Sequence, residues 1–227
     1  MLAWREIREQ YSDRGSIIRA VFLAALPIAL IQINRGAARG PDALILIFAL
    51  QAALLPAATA INGAAGSFAA EKESQTIVPL LAAPIRDIDI VAGKLIGVLV
   101  PAAAISALSL SAYYVAASLT FGAERIARVL APATMLGLFA LAVFFVLTIG
   151  AWVMVVSARV ASQRSAQQVA GLFLGAMVIG LTAVGSFIEA LPPEVIIGLV
   201  VAVLLSDFVA LELARRLWNR EEAVARL

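Results

Sequence analysis

The chain has no cysteine and no histidine among its 227 residues, and only 14% of its residues are charged. The two absences exclude a disulfide framework, the usual thiolate and imidazole metal ligands, and any Ser-His or Cys-His catalytic pair. The shortage of charge argues against a soluble helical bundle, since an ordinary domain is about 25% charged. We therefore expect no catalytic residue, no metal site, no cofactor-binding residue and no nucleic-acid partner in this chain.

Long apolar segments make up most of the sequence, and 63% of its residues are hydrophobic. These segments are rich in Ala, Leu, Val, Ile and Gly, and they lack the strict two-residue alternation of a membrane β-barrel. Their length and composition are typical of transmembrane helices. The sequence therefore predicts an all-α integral membrane protein with a single transmembrane domain, residues 1–227, embedded in the lipid bilayer.

Polar turns divide the apolar sequence into six predicted transmembrane helices. Their approximate bounds are 17–33, 43–68, 90–119, 129–156, 169–188 and 195–217. Residues 120–128 are predicted to form a polar loop, and residues 157–168 a polar connector. At the N-terminus, residues 1–16 place Trp4, Ile7 and Tyr11 at helical spacing among charges, which predicts a helix lying in the membrane interface. A frayed tail is the alternative for this segment.

The positive charges are distributed unevenly between the two sides that six spans create. Of the 17 lysines and arginines, only Arg35, Arg39, Arg125 and Arg128 fall in loops on the side opposite the termini. Cytoplasmic loops carry the excess of positive charge. The sequence therefore predicts a multi-pass protein of a bacterial or archaeal inner membrane, with the N- and C-termini and the two longest polar connectors in the cytoplasm.

The longest polar interruption, Ser67–Gly97, is called the first connector here. It joins the second and third predicted spans and carries seven charged residues around an apolar run, Ile77–Leu81. Thr76 or Ser74 can cap a short helix, and Pro84 would end it, so we predict a coupling helix at about 74–84. Its apolar face would either dock another protein, lie on the membrane surface, or pack under the helices.

The first connector resembles the signature of the ABC-2-type permeases, which are the membrane subunits of ABC exporters. The matching residues form an acidic-basic-acidic cluster, a Thr, a Leu-Leu, a small residue before Pro, and an apolar run ending in Gly-Lys. In this sequence they are Glu71, Lys72, Glu73, Thr76, Leu80, Leu81, Ala83, Pro84, Ile90, Gly93 and Lys94. Gln75 stands where the family usually has a glycine. The layout of six spans with an interfacial N-terminal helix is also similar.

The resemblance implies an ATP-driven exporter in which two permease subunits pair, as a homodimer or with a similar subunit. Each subunit would dock a separate cytoplasmic ABC ATPase through the coupling helix. The residues implied in docking are Glu71, Glu73, Thr76, Ile77, Leu80, Leu81 and Pro84. ATP would bind to the partner, because this chain has no G-x-x-x-x-G-K-[ST] motif: Gly93-Lys94 is followed by Leu95. We therefore expect that the chain is not itself an enzyme.

Asp207 lies within the sixth predicted span, and an intramembrane acid is a candidate functional site. Its side chain could contact substrate or an ion, lie close enough to the interface to be hydrated, or pair with an arginine of a neighbouring helix. A channel or secondary transporter that works without an ATPase is the alternative function. That class would carry ionisable residues along several spans, whereas Asp207 is the one that stands out here.

Overall fold

The computed structural model describes residues 18, 21–22, 25–29, 41–55, 64–65, 87–160, 162, 164–169, 171–172 and 193–217. Within these ranges the chain is almost entirely helical and contains no strand, in agreement with the predicted all-α class. The helices with defined ends are α1 (Pro41–Leu54), α2 (Asp87–Phe121), α3 (Ala123–Val129), α4 (Pro132–Arg159) and α5 (Pro193–Leu217).

Two stretches of helix within the described ranges, Asp89–Phe121 and Pro132–Ser157, are long and apolar enough to cross a membrane. Only 44% and 50% of their most apolar portions are buried inside the chain, whereas the core helix of a soluble protein would be mostly buried. The apolar surface of these helices that is not buried is unfavourable in water and favourable in an apolar environment. A shorter apolar helix, Leu44–Leu54, lies within the second predicted span.

The remaining predicted segments are described to different degrees. Helix α5 contains the predicted span 195–217, and residues 18, 21–22 and 25–29 of the predicted span 17–33 are helical. The interfacial helix at 1–16, the coupling helix at 74–84 and most of the span 169–188 lie outside the described residues. The number of six spans therefore stays a prediction.

The chain divides into two compact units that share helices α2 and α4. Unit I comprises Met1–Glu6, Ile61–Gly97 and Leu147–Leu227. Unit II comprises Ile7–Ala60 and Val98–Val146. Each unit thus contains one portion of α2 and one portion of α4.

Unit II is built on a buried apolar core between α1, α2, α3 and α4. Its buried members are Ile45, Phe48, Ala49, Ala52, Ala53, Leu110, Tyr113, Ala117, Ile126, Leu130 and Ala142. Alanine supplies five of these positions, and small side chains let helices approach closely where lipid offers no hydrophobic driving force. Tyr113 is fully buried, and its hydroxyl donates a hydrogen bond of 2.9 Å to the carbonyl oxygen of Ile45. This bond ties α2 to α1.

The segment 120–128 is not the polar loop that its composition predicted. Helix α2 runs to Phe121, the chain turns at Gly122, and α3 begins at Ala123. Gly122 has φ 91°, a conformation that side-chain-bearing residues rarely adopt, so glycine allows the turn to occupy one residue. The apolar Ile126 is fully buried in the core of unit II, which explains why this charged sequence folds as a helix.

Helix α4 also differs from its prediction, since it covers Pro132–Arg159 where the sequence predicted 129–156. Proline is favoured in the first turn of a helix because its missing N–H has no acceptor there. The helix therefore starts at Pro132 and continues three residues into the predicted connector.

At the start of α1, the Asp42 carboxylate accepts a hydrogen bond of 2.8 Å from Arg125 Nε of α3, which adds an exposed ion pair to unit II.

The turn at Gly122 gives a stability prediction with a matched control. A Cβ atom added at Gly122 or at Gly137 would meet no other atom within 4 Å, but only Gly122 of the two has a positive φ. We expect Gly122→Ala to lower the free energy of unfolding by about 1–3 kcal/mol, because alanine is strained in that conformation. Gly137→Ala lies within α4 and should be neutral or stabilising. Thermal unfolding in detergent would measure both, and equal stabilities of the two variants would contradict the account of the turn.

Candidate functional site

The residues implied in docking an ATPase all belong to the first connector. Glu71, Glu73, Thr76, Ile77, Leu80, Leu81 and Pro84 lie outside the described residues, so their roles stay predictions. The structure does describe both flanks of the connector, at Ala64–Ala65 and from Asp87 onward. Helix α2 begins at Asp87, which places Asp89 in its first turn, where the helix dipole stabilises a carboxylate.

The N-terminal flank of the first connector is bonded to the end of α4. Ser157 Oγ donates a hydrogen bond of 2.8 Å to the carbonyl oxygen of Ala65, and both residues are fully buried. Ala65 lies two residues before the connector begins. The bond therefore fixes the point at which the chain enters the connector relative to α4.

The C-terminal flank of the same connector packs closely against α4. A Cβ atom added to Gly150 would lie 3.1 Å from Leu95 Cδ1, so glycine is what allows α2 and α4 to approach here. The neighbouring Lys94, which the resemblance assigns to the family's Gly-Lys pair, is only 1% exposed. Within unit I, both ends of the first connector are thus held against one helix.

Asp207 is buried in unit I, with 2% of its surface exposed. Thr148 Oγ1 of α4 donates a hydrogen bond of 2.9 Å to Asp207 Oδ2. The other carboxyl oxygen, Oδ1, is buried and has no hydrogen-bond partner in the structure. A buried oxygen without a donor is unfavourable by about 1–3 kcal/mol, and more if the group is charged. The arrangement therefore leaves one buried carboxyl oxygen without a donor.

The polar neighbours of Asp207 are engaged in other contacts. Trp152 Nε1 of α4 donates to Ser206 Oγ of α5 at 3.3 Å, one helical turn from the bond between Thr148 and Asp207. Glu212 accepts a hydrogen bond of 2.8 Å from Arg216 Nε within α5. Two polar contacts thus join α4 to α5 around Asp207, while the next acid along the helix already has a cation.

The three interpretations that the sequence left open for Asp207 stay predictions. Asp207 is buried, and no arginine or lysine among the described residues pairs with it. Contact with a ligand stays a prediction. Sequence reasoning missed Thr148, which is 59 residues away along the chain; its polar side chain within an apolar span was the one available signal.

The carboxyl group of Asp207 can accept a hydrogen bond or bind a positively charged group. The described residues contain no group of three or more Asp or Glu side chains that could hold a metal ion. Gln51 Oε1 and Ser106 Oγ, both in unit II, are also buried without a hydrogen-bond partner. A glutamine within a span is expected to bond a neighbouring helix, and the side-chain carbonyl oxygen of Gln51 does not do so.

Comparison with known proteins gives one match that covers most of the chain. A family model described as "ABC-2 family transporter protein" matches residues 3–214. No curated protein matches the chain.

The bond between Thr148 and Asp207 gives a second stability prediction. We expect Thr148→Val, which keeps the shape of the side chain but removes the donor, to destabilise the protein by about 0.5–2 kcal/mol. Thr148→Ser retains the hydroxyl and should lose less. Unfolding in mixed micelles would rank the two variants. If Thr148→Val were as stable as the unmodified protein, the hydrogen bond would not hold α4 to α5.

Proposed function

The chain belongs to the ABC-2 family transporter proteins, and on that premise we propose that it is the membrane-spanning permease subunit of an ATP-driven exporter. The observation that carries the proposal is the family match, which extends over residues 3–214 and so includes every described helix except the last turn of α5. The two helices that are long and apolar enough to cross a membrane support it.

The proposal requires an ATPase on a separate chain. The sequence contains no G-x-x-x-x-G-K-[ST] motif, and its one Gly-Lys pair, Gly93-Lys94, lies in α2 and is followed by Leu95. We propose that the coupling helix at 74–84 docks this ATPase, with Ile77, Leu80 and Leu81 entering an apolar groove of the partner. Glu71 and Glu73 would make the polar contacts beside it, while Thr76 caps the helix and Pro84 ends it.

Contacts at the two flanks of the first connector support a route by which the ATPase moves the spans. A displacement of the coupling helix would pull on Ala65 and push on the start of α2. Both are held against α4, through Ser157 on one side and Gly150 on the other. Since α4 also bonds to α5 through Thr148 and Trp152, the movement would reach α5 through the same helix.

The working assembly in this proposal contains two permease subunits, two copies of this chain or one copy and a similar subunit. Each would hold its own ATPase, which supplies the ATP site that this chain lacks. All six spans lie in the bacterial or archaeal inner membrane, with both termini cytoplasmic. A channel or secondary transporter that needs no ATPase is the alternative, and the first experiment below separates it from the exporter.

We expect the double variant Leu80→Glu and Leu81→Glu to lose its ATPase while still inserting into the membrane. Two carboxylates cannot enter an apolar groove without a large desolvation penalty. The experiment is co-purification of the tagged permease from membranes with the Walker-motif ATPase encoded beside it, followed by measurement of ATP turnover.

The matched control for this experiment adds the same two charges elsewhere. Gln167→Glu and Gln168→Glu also form an adjacent pair, in the segment that links α4 to the fifth predicted span, and Gln168 is exposed. This control should keep the ATPase. Full recovery of ATPase and full turnover with the Leu80 and Leu81 variant would refute the docking assignment. Failure of the unmodified permease to recover any ATPase would favour the alternative function.

The proposed topology can be mapped with single cysteines, because the natural chain has none. We expect a cysteine at Ala123, in the predicted outer segment, to react in intact cells with a maleimide that does not cross the inner membrane. A cysteine at Gln168 should react only after that membrane is permeabilised. Both positions are exposed, so access to the reagent depends on the side of the membrane alone. The reverse pattern would overturn the assignment of the termini to the cytoplasm.

A further inference from the structure

The carboxyl group of Asp207 is not fully used by the fold. Of its two oxygens, Oδ2 accepts a hydrogen bond from Thr148, while Oδ1 is buried without a partner. Buried polar groups in proteins nearly always have partners, so the unpartnered Oδ1 calls for an explanation such as a bound ligand, ion or water. Asp207 lies 14 residues from the start of α5 and ten from its end, at about 21 Å and 15 Å along the axis. It therefore lies near mid-membrane in the proposed topology.

The buried residues that share a helix face with the hydrogen-bonded pair are small and apolar. Ala210 and Ala214 follow Asp207 at the third and seventh positions, and Ala151 follows Thr148 at the third. All three are 0% exposed. The side-chain hydrogen bonds between α4 and α5 here are those of Thr148 with Asp207 and of Trp152 with Ser206. The surroundings match an apolar body better than a strongly hydrated one.

The chemistry of the site narrows the class of ligand. An anion would be repelled by the carboxylate, and one carboxyl group with one hydroxyl cannot complete the six to eight oxygen ligands of calcium. Arg216 of the same helix already donates to Glu212. A positively charged N–H donor attached to an apolar body fits this site, because such a group would both satisfy Oδ1 and neutralise its charge.

We propose that Asp207, positioned by Thr148, is the binding residue for an amphiphilic ammonium group: a protonated amine carried on an apolar body. The inference rests on the proposed function, because it names the class of cargo that the exporter takes. Asp207 is inaccessible in this arrangement of helices, so the ligand reaches it when α4 and α5 separate. Breaking the bond between Thr148 and Asp207 would then accompany loading.

A matched pair of compact probes tests the proposal. 1-Aminoadamantane is a protonated amine at neutral pH, and 1-adamantanol has the same apolar body with a neutral hydroxyl. The assay is equilibrium binding of each probe to the complex of permease and ATPase in nanodiscs. We expect the amine to bind about tenfold more tightly or better, which is the factor of one charge-assisted hydrogen bond. Equal affinities for the two probes would overturn the proposal, since a trapped water or a neutral donor would then suffice.

Three variants show whether the preference belongs to Asp207. Asp207→Asn should remove the preference for the amine, and Asp207→Glu should keep it, because only the latter retains the charge. Glu212→Gln removes an acid from the same helix that is already paired with Arg216, and it should bind both probes as the unmodified protein does. Loss of the preference in Glu212→Gln, or its survival in Asp207→Asn, would contradict the proposal. If Asp207→Asn does not assemble, Thr148→Val replaces it: loss of the hydroxyl that positions Asp207 should weaken the preference for the amine, and an unchanged preference would contradict the proposal.

The docking variants separate this inference from the proposed function. The Leu80→Glu and Leu81→Glu permease should lose its ATPase but retain its preference for the amine, because neither substitution changes Asp207 or Thr148. If the complex forms as proposed and the unmodified permease binds both probes equally, the proposed exporter function is supported and the proposed ammonium site is refuted. If no ATPase is recovered but the permease prefers the amine, the proposed ammonium site is supported and the proposed exporter function is refuted.

Discussion

In an apolar environment, backbone N–H and C=O groups can form hydrogen bonds only with one another. This constraint organises the described part of the protein. It accounts for an almost wholly helical structure and for the lack of strands among the described residues. It also makes each departure from regular helix informative. The turn at Gly122 takes one residue, and its cost is offset where Ile126 enters the core of unit II. Among the described residues, Asp207 Oδ1 is one of three buried side-chain atoms that have no hydrogen-bond partner, with Gln51 Oε1 and Ser106 Oγ.

Helix α4 is the element on which unit I depends. Between residues 148 and 157 it meets α5 through Thr148 and Trp152, α2 through Gly150, and the entrance of the first connector through Ser157. These contacts combine hydrogen bonds with one close approach at glycine, which is how membrane helices associate when lipid is as apolar as their side chains. Both ends of the first connector contact α4. Movement of the connector would therefore displace α4. In the proposed exporter, this is how displacement of the coupling helix would reach the spans.

The sequence predicted the all-α membrane class and the family because both depend on features that are local in the sequence. Apolar length identifies spans, and the motif from Glu71 to Lys94 is contiguous. The segment 120–128 was predicted wrongly because its charges suggested a loop, whereas burial of Ile126 and the freedom of Gly122 made it a turn and a helix. The partnership of Thr148 with Asp207 could not be predicted, since it joins residues far apart in the chain. Sequence and structure thus inform different parts of the same proposal.

The claim on which the account depends most is that the apolar face of the coupling helix contacts an ATPase rather than the membrane surface. The most direct measurement is photo-crosslinking in living cells from a light-activated amino acid placed at Leu80, with the adduct identified by mass spectrometry. The account predicts an adduct with a Walker-motif protein. An adduct with lipid or with the permease alone would contradict it, and would return the coupling helix to one of the other two positions that its sequence allows.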